Sequence, residues 1–121
     1  MKQNTYKLTG VALDWAVTSI EEPDALKYGV EDWLDKRRHE TRDGFFVHRY
    51  STVWAQGGEI IEREQMCVQP SMNADAWFSA SGNDNFAYGN TPLVAVMRCY
   101  VASKLGSEVD IPEELLTKET V

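Results

Sequence analysis

The run T-P-L-V-A-V-M-R-C-Y-V-A-S-K-L-G at residues 91–106 constrains the fold of this chain more than any other stretch. Thr91 suits a helix N-cap, and Pro92 falls at the first helical position, where its missing N–H costs nothing. Leu93, Val96, Met97, Tyr100, Val101 and Leu105 then recur at helical spacing as one apolar face, and Gly106 suits the C-cap. Such a face has to be covered. With 121 residues in all, the cover comes from one compact domain with one core, residues 1–121.

Several segments can supply that cover. Thr9 caps a helix beginning at Gly10 or Val11, in which Leu13, Ala16, Val17 and Ile20 make the buried face. Asp14 and Thr18 fall on its opposite side, and Pro23 disfavours helical geometry in the residue before it. Residues 30–38 predict a short charged helix with Val30, Trp33, Leu34 and Arg37 in register. Asp43-Gly44 signals a turn, followed by an extended segment over 45–50. Residues 51–58 read as a loop ending in two glycines, and 59–64 as a single helical turn or a short helix. Residues 66–69 and 77–80 read as the two strands of a hairpin, 81–89 as a loop, and 109–116 as an edge segment or turn. The expected fold class is α+β, with N-terminal and C-terminal helices packed on a small antiparallel sheet.

Charge narrows the classes of function. Nineteen acidic residues against twelve basic ones leave a net charge of −7, a poor match for general binding of duplex DNA. Residues 21–35 are acidic and 36–49 basic, so the two blocks can pair with each other. No apolar run approaches the roughly 18 residues of a membrane helix, and the first residues lack a signal-peptide pattern. A cytoplasmic protein is expected. Cys67 and Cys99 form no C-x-x-C pair and read as small buried hydrophobes in a reducing compartment.

Catalytic and metal-binding patterns are missing. There is no phosphate-binding or dinucleotide-binding glycine motif, no nucleophile elbow and no zinc spacing. His39 and His48 stand nine apart in hydrophilic surroundings and read as solvated. Glu62 and Glu64, two apart, point away from each other on a helix. The expectation is a non-enzyme with no catalytic residues, metal or cofactor.

Residues 50–64, Y-S-T-V-W-A-Q-G-G-E-I-I-E-R-E, resemble the signature of the NinX-like family of phage proteins. Residues 8–17, L-T-G-V-A-L-D-W-A-V, resemble its opening helix, and residues 91–106 its last helix, with V-D-I-P at 109–112 in keeping. The chain departs from the family pattern at Val53, where an acidic residue is expected, and at Glu59, where proline is. The resemblance implies a small accessory protein of tailed phages, acting in the host cytoplasm.

Within these blocks a ligand-binding set can be assembled. Gly57 and Gly58 would place free backbone N–H groups at a helix start, suited to phosphate. Trp54, or Trp77 on the hairpin, would stack on a base. Arg63 and Arg98 would bond phosphate oxygens, and Tyr50 and Gln56 would read polar edges. Each has a plainer alternative: a tight Gly-Gly turn, tryptophans as core anchors, Arg63 paired with Glu59, and Arg98 as a solvated charge. The leading expectation is a protein that sequesters a small nucleotide-derived host defence signal. The alternative is an acidic inhibitor that binds a host protein, with possible mimicry of nucleic acid. A phosphate-ester hydrolase using His48, Glu62 and Glu64 ranks last. Four tryptophans in so small a domain further suggest a homo-oligomer.

Overall fold

The computed structural model describes residues 1–38, 47–72, 76–82 and 85–118. In chain order these form strand β1 (Lys2–Asn4), helix α1 (Gly10–Glu21), α2 (Val30–Arg37), α3 (Trp54–Glu64), strands β2 (Cys67–Pro70), β3 (Trp77–Ala80) and β4 (Phe86–Gly89), helix α4 (Pro92–Leu105), strand β5 (Glu108–Asp110) and helix α5 (Glu113–Lys118). Short 3-10 turns at Thr5–Lys7 and Pro23–Leu26 follow β1 and α1. The class is α+β, as expected.

α4 is the hub. Its Thr91 Oγ accepts the N–H of Val94 at 3.1 Å, and Pro92 opens the helix. Leu93 to Met97 and Cys99 to Ala102 are all buried, so the helix is covered nearly all round rather than along one face. One side lies on the antiparallel sheet β2-β3-β4, the other against α1 and α3. In the sheet, Phe78 faces Tyr88 and Ser79 faces Ala87, which puts Ser79, Ala87 and Gly89 toward α4 and Phe78, Phe86 and Tyr88 outward. Gly89 is required there: a Cβ on it would sit 2.5 Å from the Ala95 backbone nitrogen. β1 pairs antiparallel with β5, and Ile111 and Leu115 beyond it are buried.

Several expectations fail for identifiable reasons. Residues 51–58 are not a loop throughout, because α3 begins at Trp54 and runs through both glycines. Gly57 is needed in that helix, since its Cβ would meet Tyr50 O at 2.6 Å and Leu93 Cδ2 at 2.7 Å. The 81–89 segment contains β4, whose F-A-Y-G alternation places two aromatic rings out and two small residues in. Asp14 and Thr18 do not face water: they are 1% and 0% exposed, because α2 and the chain around Ser51 cover that side of α1. Of the extended segment at 45–50, residues 45 and 46 lie outside the described residues. Residues 47–50 form no strand, and His48 has φ +55°. His48 is buried, not solvated, while His39 lies outside the described residues. Cys99 is buried as expected but Cys67 is exposed on the hairpin, and both are free thiols.

Candidate functional site

A polar interior absorbs Tyr50, which the sequence offered for ligand binding, together with His48. Arg37 Nη2 donates to Asp14 Oδ2 at 2.8 Å, and the Ser51 N–H donates to Asp14 Oδ1 at 2.9 Å. The Arg37 guanidinium lies 4.8 Å from the centre of the Trp33 ring, which meets Trp15 edge-on at 5.2 Å. Burial pushes the Asp14 carboxyl above its ordinary pKa, against the pull of Ser51 and Arg37. At the end of α1, Glu22 Oε2 accepts from Tyr50 Oη at 3.0 Å and from His48 Nε2 at 2.8 Å. Burial lowers the His48 pKa more than Glu22 raises it, so the ring is neutral at neutral pH. Burial and Glu22 together raise that of Tyr50.

The remaining candidates are dispersed. Gln56 Oε1 accepts the Arg49 N–H at 2.7 Å. The Gly57 N–H is used inside α3, donating to Val53 O at 3.0 Å, so the two glycines do not form a helix start. Gly58 has open space around it. Arg63 does not pair with Glu59 but grips Glu21 through two bonds of 2.9 and 2.8 Å, and also bonds Glu64 and Tyr100. Tyr100 in turn donates a short hydrogen bond to Glu21. Trp77 is half-buried opposite Gly89. Arg98 is not a simple solvated charge: its Nε donates to Leu8 O at 2.7 Å and its Nη1 to Tyr88 O at 2.8 Å. Trp54 is 55% exposed at the first turn of α3.

What the structure brings together is a different set. Tyr6, Phe86, Ala87, Tyr88 and Arg98 line a cleft of about 450 Å³. Phe86 and Tyr88 are about half exposed, and Phe78 packs beside them at ring distances of 6.0 and 5.4 Å. Sequence reasoning missed these aromatics; their signal was the two-residue alternation of β4. Among the described residues no group of three or more His, Cys, Asp or Glu is arranged to hold a metal. No described helix is long and apolar enough to cross a membrane.

Residues 4–104 match the family model described as Bacteriophage P22, NinX. The chain belongs to that family. No curated protein matches it. The NinX match runs from the end of β1 to the last turn of α4, so it contains every residue of the aromatic cleft and Trp54 as well. NinX membership makes this a phage accessory protein. Val53, where the resemblance led to an acidic residue, is the N-cap of α3, a position at which a carboxylate would accept the free N–H groups of the first turn.

Proposed function

We propose that this NinX-family protein acts in the host cytoplasm as a non-enzymatic binder that sequesters a small nucleotide-derived defence signal. The observation that carries this reading is the cleft of Tyr6, Phe86 and Tyr88 beside Arg98. Aromatic side chains offer flat apolar walls to a base, and the guanidinium supplies local positive charge in a chain of net −7. Native mass spectrometry of the purified protein with cyclic nucleotides and ADP-ribose derivatives tests it. The expected result is stoichiometric retention at unchanged ligand mass. The double variant Phe86→Ala, Tyr88→Ala should weaken that retention by about tenfold or more. A product of altered mass would make the protein an enzyme and overturn the reading.

No retained ligand would leave the second reading, an acidic inhibitor of a host protein. Its support is the exposed carboxylates of Glu59, Glu62, Glu108 and Glu113. Salt-sensitive capture of one basic host protein would favour it. The same spectra count subunits and so test the proposed homo-oligomer.

A further inference from the structure

Arg98 of α4 joins two elements that lie far apart in the chain. Its Nε donates to Leu8 O at 2.7 Å, where the 3-10 turn Thr5–Lys7 ends, and its Nη1 donates to Tyr88 O at 2.8 Å, on β4. The turn carries Tyr6 and the strand carries Phe86 and Tyr88, and these rings with Ala87 and Arg98 line the aromatic cleft. One guanidinium therefore holds both walls of the cleft.

Neither wall is broad. The turn has three residues, and β4 is an edge strand of four in the order β2-β3-β4. The turn is fixed at its start: the Thr5 hydroxyl donates to Gly106 O at 2.7 Å, the Thr5 N–H to Ser107 O at 2.9 Å, and the Tyr6 N–H to Asn4 Oδ1 at 2.9 Å. Arg98 fixes its end. Hydrogen bonds from a charged donor are roughly twice as strong as neutral ones, and a planar guanidinium sets direction as well as distance. Nε carries a single N–H, and Leu8 O takes it. A side-on, two-bond grip on phosphate through that edge would release the Tyr6 wall. The net charge of −7 works in the same direction, since the chain as a whole repels each further phosphate on a ligand.

We infer that Arg98 is a positioning residue: it sets the spacing of Tyr6 from Tyr88, so that the cleft recognises the flat ring of its ligand rather than the phosphate. The ligand class is an aromatic heterocycle such as a nucleoside base, held against the rings. This rests on the ligand-binding reading given above and narrows it: a nucleoside suffices, and the number of phosphates matters little.

NMR of the full chain, first without ligand and then titrated with adenosine and with adenosine monophosphate, tests the assignment. Before ligand is added, Arg98→Lys should move the carbonyl-carbon signals of Leu8 and Tyr88 and the ring signals of Tyr6, while the buried Leu115 keeps its own. In the wild type the two ligands should bind within about threefold of each other. Arg98→Lys keeps the charge but replaces the planar bridge by a point charge, and should weaken adenosine about tenfold, as should Arg98→Gln. Tyr6→Leu leaves Arg98 in place and should weaken adenosine by a similar factor. Wild-type affinity in Arg98→Lys, or unmoved Tyr6 signals, would mean that Arg98 acts through charge alone and would overturn the inference. A monophosphate bound about tenfold or more tighter than adenosine would overturn it too, and would leave the function proposed above standing. If neither ligand binds while native mass spectrometry retains a larger nucleotide, the inference falls and the function stands. If nothing binds in either experiment, both fall.

Discussion

His48 and Asp14 are both withdrawn from water, with opposite consequences as pH changes. Burial holds the folded-state pKa of His48 below the ordinary 6.5, despite the Glu22 carboxylate bonded to Nε2. As pH falls from 6.5, the unfolded chain therefore takes up the proton before the folded one does. The stability contributed by neutral His48 is complete above 6.5 and is lost as pH drops through the lower folded value. Asp14 runs the other way. Its folded pKa lies above 3.8, so its contribution declines as pH rises from 3.8 through that higher value. The histidine effect is the one to measure. Asparagine tolerates the left-handed backbone at position 48, φ +55°, so His48→Asn should keep the local fold. Thermal melts should show the wild type losing Tm more steeply than the variant as pH falls below 6.5. Parallel curves would show that His48 does not titrate in this way.

At the scale of elements, α3 shows why local signals and final structure part company. Two adjacent glycines weaken a helix, and taken alone they read as a turn. The helix forms through them because Gly57 lets α3 approach Tyr50 O and Leu93 of α4 to distances that no side chain permits. Gly58, one residue on, meets nothing. Their alanine variants should therefore differ in sign. Gly57→Ala should lose about 2 kcal/mol to overpacking, and Gly58→Ala should gain about 0.5–1 kcal/mol from helix propensity, both read from urea unfolding. α4 was legible because Thr91, Pro92 and Gly106 carry its boundaries within a few residues. The buried side of α1 was not: Asp14 reads as solvent-facing until Arg37, 23 residues later, comes to meet it. The same applies to the ligand-binding set. Tyr50, Gln56 and Arg63 are polar groups in a promising block, but they bond Glu22, Arg49 and Glu21, partners that only tertiary structure supplies. Trp54 alone of the singled-out aromatics stays largely open to solvent, and the aromatic cleft drew on β4, whose alternation sat inside a Gly- and Asn-rich stretch.

Across the whole molecule, one continuous core runs from Leu8 to Leu115 and so passes beyond the 4–104 span of the family match. β5 returns to pair with β1, and Ile111 N–H donates to Met1 O at 3.0 Å. That return carries α5 onto α1 and leaves Leu115 fully buried. Leu115→Ala should cost about 3 kcal/mol in urea unfolding, as a cavity in the main core does. A cost below about 0.5 kcal/mol, typical of a surface site, would mean that the last helix is not part of the core.

The glycines at 57 and 89 also bear on how such a sequence can drift across generations of phage. Exposed charges such as Glu59, Glu62 and Glu113 can be exchanged without moving a backbone. Gly57 and Gly89 cannot, since each marks a place where another element touches main chain or a packed side chain of α4 directly. A lineage keeping this architecture is free to rewrite its surface, but it inherits those two positions nearly unchanged.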